Sequence, residues 1–304
     1  MLIDNRIFAR TLEKKKLLDS LRPLPKEVLR KLNEQLEIEL TYNSNAIEGN
    51  TLTLQETKLV LERGITVKGK SLREHLEATN HKEALHLLER FVKKKEKLME
   101  DLIKELHKVI LTKINDKEAG RYRKTNVRIL GAIKSPPQFV KVPILMKRFA
   151  DYAKKNPDKF NIVEFSAKLH YEFVAIHPFF DGNGRVARLL MNLLLIQNGY
   201  PIIIILNNDR KRYYATLKEA DRGNIKPFID FIAKAVERSL DIYLSTFKKG
   251  LEYISLKEAA KISPYSQEYL SLLARKGILD AAKFGRNWVI TKKALNDYIK
   301  KHRK

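Results

Sequence analysis

The apolar and polar positions of this chain repeat mostly with the period of a helix. Leu29, Leu32, Leu36 and Leu40 recur at three- and four-residue steps in a charged stretch that begins near Arg10, predicting one helix that leads into TYNSNAIEGN and is ended by Gly49. Capping boxes mark two further starts, Thr53 with Glu56 and Ser71 with Glu74, and helical texture continues to roughly Lys113. The texture changes at GRYRKTNVRILGAIKSPP, where alternating and β-branched residues, a glycine and a Pro-Pro stop predict a β-hairpin. A helix near Pro143 to Lys155 follows, then NIVEFSAKLHYEFVAI, whose Phe165, Leu169 and Phe173 share one face. RVARLLMNLLLIQ is apolar all round and closed by Gly199, so it belongs in the middle of a bundle. KRYYATLKEAD and KPFIDFIAKAVERSLDIYLSTF are again helical, giving a mainly α fold to about residue 247.

The last segment reads differently. Ser255 with Glu258 caps LKEAAKI, Ser266 starts QEYLSLLARKG, and KFGRNWVIT is an alternating ribbon before a final helix. Helix, turn, helix and wing in that order resemble the excisionase-like winged helix-turn-helix modules. Residues 248–304 also hold 14 Lys+Arg against 5 Asp+Glu, so under a fifth of the chain carries well over a third of the net charge.

Composition narrows the class. With 304 residues, 44% hydrophobic and 32% charged, the chain builds a sizeable core, one large domain plus a small one, and is not disordered. There is no cysteine, which excludes disulfides and thiolate metal sites, and MLIDNRIFAR has no charged-then-apolar leader, so a cytoplasmic location is expected. The greasy run LLMNLLLIQNGYPIIIIL is interrupted by Asn192, Gln197, Asn198, Gly199 and Pro201, below spanning length, so no membrane insertion is expected. The net charge of +24 suits a polyanionic partner, and equally a lysine-rich solvated surface.

The candidate chemistry is concentrated in residues 177–188, HPFFDGNGRVAR. A Gly-Asn-Gly turn directly before a helix exposes backbone N–H groups at the positive end of the helix dipole, a cradle for phosphates. Arg185 and Arg188 lie one turn apart and can reach the same polyphosphate. Asp181 is a hard oxygen ligand suited to Mg²⁺, and His177, past the preceding helix because Pro178 disfavours helical geometry there, can take a proton from an attacking hydroxyl. Together these describe nucleotidyl or phosphoryl transfer.

HPFFDGNGRVAR matches the Fic (Fido) signature HPFx(D/E)GNGRxxR at every specified position, and similarity to that family extends from about residue 40 to 247. The resemblance implies a helical bundle with a small β-hairpin flap and transfer of AMP from ATP to a Ser, Thr or Tyr hydroxyl of a target protein or of the enzyme itself. It implies that His177 is the base, that Asp181 holds Mg²⁺, and that Gly182, Asn183, Gly184, Arg185 and Arg188 bind the phosphates. Ile129, Leu130, Gly131 and Ala132 of the flap would lie near ATP and the hairpin would dock an extended target segment; Tyr213 and Tyr214 would line the nucleoside pocket. Asp221 stands where relatives often place an Asn near adenine. SNAIEG fits a second family pattern, (S/T)xxxE(G/N), on an inhibitory helix of about residues 31–48, in the class whose inhibitory helix precedes the core. Ser44 and Glu48 share a helical face, and Glu48 would pair with Arg188 and withdraw it from the γ-phosphate.

The expected organisation is therefore a helical region over 1–110, a Fic core over 111–247 and a winged helix-turn-helix over 248–304. Alternatives are removal of AMP, with Glu48 positioning a water; phosphotransfer in the manner of Doc; and a DNA-binding regulator with a Fic sensor domain. For the last, Tyr265, Ser266, Gln267, Tyr269, Arg275 and Lys276 would form a recognition helix, with Arg286 and Trp288 in the wing, although the same module serves equally for protein docking. A homodimer is a family-level expectation.

Overall fold

The computed structural model describes residues 2–129, 131–248, 253–284 and 287–302. Ten helices form its larger part: α1 (Asn5–Ser20), α2 (Lys26–Ile47), α3 (Leu54–Arg63), α4 (Leu72–Lys93), α5 (Glu100–Leu111), α6 (Val142–Lys155), α7 (Ile162–Ile176), α8 (Asn183–Gln197), α9 (Arg210–Asp221) and α10 (Lys226–Phe247). The C-terminal part comprises β1 (Tyr253–Ser255), α11 (Leu256–Lys261), α12 (Gln267–Lys276), β2 (Ala281–Phe284), β3 (Asn287–Thr291) and α13 (Lys292–His302). None of the described helices is long and apolar enough to cross a membrane.

Local signals set the helix ends. Thr53, Ser71 and Ser255 each accept the N–H of the glutamate three residues on, whose carboxylate returns to the cap, as the capping boxes predict. One expectation is corrected: the charged stretch from Arg10 is two helices and not one, because RPLP interrupts it. Pro23 and Pro25 lack an N–H and disfavour helical geometry in the residues before them, so the chain turns after Leu21 and α2 starts past Pro25.

α8 is the centre of the bundle. Its residues from Arg185 to Leu195 are all buried, and α7, α4, α5 and α2 pack around it, while α1 lies along α10. A helix apolar on every side has no face to give to water, so α8 settles where neighbours cover it, and its Arg185, Arg188 and Asn192 are buried with it. Removing the side chain of a residue such as Leu193, fully buried there, would cost about 2–5 kcal/mol.

The expected hairpin is also corrected in form. Among the described residues 121–138 there is no strand ladder; the segment is an irregular loop with a turn in which Ala132 N–H meets the Ile129 carbonyl at 3.3 Å, and Leu130 lies outside the described residues. Side chains tie its backbone down, Asp221 accepting Ile133 N–H and Arg123 donating to the Thr125 and Pro137 carbonyls.

The C-terminal part has its own core, built on Leu256, Leu270, Leu273, Leu279, Ile290 and Leu295. Its antiparallel sheet has the order β1-β3-β2, with Ile254 opposite Ile290 and Ala282 opposite Val289. The ribbon expected at KFGRNWVIT is β2–β3; β1 is an additional strand, too short to show a period in sequence. This part is fastened to α1, where Arg10 donates to the Gly277 carbonyl at 3.0 Å and Lys14 meets Asp280 at 2.6 Å.

Candidate active site

The site grows from the junction of α7 and α8. α7 ends at Ile176, and His177, barred from continuing it by Pro178, takes a left-handed conformation with φ +50° while its N–H closes the helix on the Phe173 carbonyl. Arg123 holds this turn: its Nε donates to the His177 carbonyl at 2.9 Å, its backbone N–H to the Pro178 carbonyl at 2.9 Å, and its other nitrogens to the Thr125 and Pro137 carbonyls at the base of the loop. Burial pushes the His177 imidazole below its ordinary value and Arg123 works in the same direction. The Val174 carbonyl, Glu48 and Asp181 oppose this without overcoming it, so the ring is neutral near pH 7.

The loop between the helices is fixed from below. Phe179 is buried and stacked on His107, ring centroids 3.6 Å apart. Gly120 N–H donates to His107 Nδ1 at 2.9 Å, which assigns the ring proton to Nε2, and that N–H donates to the Asp181 carbonyl at 3.0 Å. Burial holds His107 neutral, its imidazole down to about 4. The Asn183 side chain is used up on Phe179, accepting its N–H at 3.0 Å and donating to its carbonyl at 2.9 Å. Only the Asn183 backbone is free to meet a ligand.

At the start of α8, Gly182 adopts φ +76° and supplies no capping side chain. The N–H groups of Asn183, Gly184 and Arg185 accordingly have no acceptor among the described residues, leaving the dipole end open to an anion. Arg185 and Arg188 lie beneath it, each only 2% exposed. Arg185 reaches Asp181 at 3.3 Å and Glu77 at 3.4 Å, yet its Nε is buried without a hydrogen bond. Arg188 donates from Nε to Ser44 Oγ at 3.0 Å and from Nη2 to the Ser44 carbonyl at 2.7 Å and Glu48 at 2.8 Å, while Nη1 is buried without an acceptor. Orphaned donors on buried guanidinium groups cost about 1–3 kcal/mol each unless a ligand takes them. Glycine at 184 leaves room for the Glu48 carboxylate, which a Cβ there would displace.

Both carboxylate oxygens of Asp181 have partners, although the side chain keeps an exposed side. Its carboxylate accepts Gly182 N–H at 2.6 Å and meets Arg73 of α4 at 2.6 Å. Burial opposes its ionisation, but Arg185, the Gly182 N–H and Arg73 together hold it below the usual carboxylate range. Among the described residues there is no cluster of three potential metal-ligating side chains, so Asp181 stands as a single carboxylate.

The remaining expected residues divide. Tyr213 is a core residue, 2% exposed with its hydroxyl 3.1 Å from His170 Nε2, whereas Tyr214 is half-buried, its ring 5.2 Å from the Arg210 guanidinium. Asp221 ties the loop down, accepting Ile133 N–H at 3.2 Å and the Tyr171 hydroxyl at 3.2 Å. Ile129 and Ala132 are half-buried and Gly131 is exposed with φ +79°. In the C-terminal part, Gln267, Tyr269, Arg275 and Lys276 are exposed on α12, Trp288 is half-buried on β3, and Arg286 lies outside the described residues. Ser266 is the α12 cap and Tyr265 packs between Tyr269 and Tyr298.

Four residues of the site went unnoticed in sequence: Arg73, Glu77, His107 and Arg123. Arg73 and Glu77 had a faint signal, an i,i+4 pair on one helix face, here at 3.2 Å. His107 and Arg123 act through the backbone of distant loops, for which no local pattern exists.

Residues 97–195 match the Fic/DOC family model and residues 253–303 match a helix-turn-helix domain. The chain is 42% identical over 207 residues to protein adenylyltransferase Fic of Nematostella vectensis, across 67% of this chain and 48% of that protein, and 40% identical over 218 residues to the Drosophila grimshawi protein of the same name, across 71% and 44%. It thus spans about half the length of the curated relatives it matches. Among solved structures it resembles a Fic domain containing signaling protein from Bacteroides thetaiotaomicron, with a TM-score of 0.73 and 32% identity over 79% of this chain and 97% of that one. It also resembles Fic-1 from C. elegans, with a TM-score of 0.72 and 33% identity over 80% and 73%. A buried arginine pair under an open helix N-terminus, a histidine poised past a helix end and these likenesses across nearly the whole of one solved relative place the chain in the Fic/DOC family.

Proposed function

We propose that the protein transfers AMP from ATP to a hydroxyl of a protein target, and that Glu48 holds it in an inhibited state. The observation that carries this reading is the Arg188 guanidinium, buried, with one nitrogen orphaned and another held by Glu48 beside three unaccepted N–H groups. That arrangement suits a triphosphate whose charge is spread over several oxygens.

In the reaction the target hydroxyl oxygen attacks the α-phosphorus, its proton passes to His177, and the bond from that phosphorus to the β-phosphate bridging oxygen breaks to release pyrophosphate. A neutral imidazole is required at the start, which burial supplies. The α8 N-terminus and Arg185 neutralise developing charge, and Arg188 would hold the γ-phosphate once Glu48 releases it. Asp181 fits Mg²⁺ as a lone hard carboxylate among phosphate oxygens, and the ion would neutralise charge on the phosphates. The loop around Ile129, which pairs with no strand among the described residues, suits strand addition by an extended target segment, anchored by Asp221 at one side and Arg123 at the other.

The test is intact-mass measurement of the Glu48→Gly protein after incubation with ATP and Mg²⁺, against the same protein carrying His177→Ala. A gain of one AMP that depends on His177 supports the reading; a gain of phosphate alone, or none, overturns it.

A second reading concerns the C-terminal part. Its own core, its match to a helix-turn-helix domain and the exposed Gln267, Tyr269, Arg275 and Lys276 on α12 support binding of duplex DNA by that module.

A further inference from the structure

Between the Fic core and the C-terminal domain runs a cleft of about 290 Å³. Its walls are strongly cationic: Arg10, Arg212, Lys234 and Arg238 from the core, Arg275 and Lys283 from the C-terminal side. Two acids line it, and both are already matched. Glu237 is taken by Arg10 at 2.6 Å and by Lys14 at 3.1 Å, while Asp209 is taken by Lys283 at 3.1 Å and approached by Arg238 at 4.0 Å.

Three cations are left over. Arg212, Lys234 and Arg275 make no ion pair among the described residues; Lys234 Nζ has only the Arg275 carbonyl at 3.3 Å, and Arg275 Nε only the Ser271 carbonyl at 3.3 Å. Burial, then the charge of Arg212, pushes the Lys234 ammonium below its ordinary value, against the opposing carboxylates of Asp230 and Glu237. The cleft also continues. Arg275 and Trp288 belong both to its wall and to a second depression beside α12, lined by Gln267, Glu268 and Ser271. Three unpaired cations, Arg212 and Lys234 of the core and Arg275 of α12, therefore lead along a trough toward the exposed face of the helix that a helix-turn-helix lays on its ligand, with the acid Glu268 beside them.

We infer that this trough seats the phosphodiester backbone of duplex DNA, and that Arg212 and Lys234 of the Fic core complete a footprint begun by α12 and the wing. The inference rests on the helix-turn-helix reading of the C-terminal domain and is independent of the adenylyl-transfer reading. Phosphate contacts of this kind fix register and contribute affinity without reading sequence. The core is then part of the DNA-binding surface rather than a passenger on it.

The test uses the full chain, a labelled random-sequence DNA duplex and fluorescence anisotropy across a salt series. Each phosphate contact contributes about 0.9 to the slope of log K against log salt. Arg212→Ala and Lys234→Gln should each flatten the slope by about one, and the double variant by about two, weakening binding roughly tenfold or more at 0.1 M salt. Both residues lie outside the nucleotide site, so ATP-dependent labelling in the Glu48→Gly background should be kept, which shows the variants folded. Slopes unchanged while DNA still binds would overturn the core's share and leave the helix-turn-helix reading standing. Absence of DNA binding by the unsubstituted chain overturns both, and equal binding of a duplex RNA of the same length overturns the assignment to DNA.

Discussion

Arg188 and Glu48, 140 residues apart in the chain, meet at 2.8 Å with the arginine buried and the carboxylate about one third exposed. The same guanidinium is held by Ser44 through both its hydroxyl and its carbonyl, so the end of α2 supplies three acceptors to one side chain.

Breaking that contact is the first prediction. A hydrogen bond to a charged group contributes about 1.5–3 kcal/mol, so Glu48→Gly should raise the rate of adenylyl transfer by roughly 10- to 150-fold. Initial rates of label incorporation compare the two proteins directly. A rate within twofold of the unsubstituted chain would show that Arg188 is not limiting.

Arg73 occupies the Asp181 carboxylate that the proposed Mg²⁺ would use. The Arg73 side chain is 57% exposed, which caps its contribution at about 1 kcal/mol. Arg73→Ala should lower the Mg²⁺ concentration for half-maximal activity by no more than roughly fivefold, a figure that follows from the same range. Titration of Mg²⁺ at saturating ATP reads this; a higher requirement would mean that Arg73 helps to hold the site.

The pH profile follows from His177. Since burial places its imidazole below the ordinary value, the protonated, inactive form is reached only below about pH 6.5. The acid limb of kcat/KM should therefore lie under that value, with a plateau through neutrality. His177→Ala should reduce transfer by about 100-fold or more at every pH.

Stability should fall as pH falls from about 6.5 to 4.5. His81, His107 and His170 are buried, and burial takes them to about 3, about 4 and about 3, so each takes up a proton on unfolding in that window. Asp241 works in the opposite direction: burial, with Glu237 and Asp280 nearby, outweighs the opposing Lys14 and pushes it up to about 7, so it releases a proton on unfolding. The net uptake of about two protons from these four groups corresponds to a slope of about 2.7 kcal/mol per pH unit, and His177, also lowered by burial, adds in the same sense. Urea unfolding at several pH values measures it, and a flat profile between pH 4.5 and 6.5 would contradict the burial of these rings.

Lys14 joins Glu237, Asp241 and Asp280 at 3.1, 2.9 and 2.6 Å across the seam with the C-terminal domain. Lys14→Met would leave three carboxylates facing one another with Arg10 alone, and should destabilise the protein by about 3–5 kcal/mol. Chemical denaturation should show the loss, with the C-terminal domain becoming more accessible to protease.

What the sequence determined by itself is local. The capping boxes at Thr53, Ser71 and Ser255, the burial of α8, the release of His177 from α7 by Pro178 and the one-turn spacing of Arg185 and Arg188 all follow from neighbours within a few residues, where period, cap and backbone angle act. RPLP carries the same kind of local signal, and the leucine period across it conceals the break between α1 and α2. Pairing Glu48 with Arg188 came from family likeness, because no spacing rule joins residues so far apart. Tertiary structure alone decided the rest: that Arg73 lies on Asp181 across 108 residues, that His107 holds the Asp181 carbonyl, that the described residues of the 121–138 loop form no ladder, and that the cations of two domains share one cleft. These depend on which surfaces meet when the bundle closes around α8, a property of three-dimensional packing that no window of sequence contains.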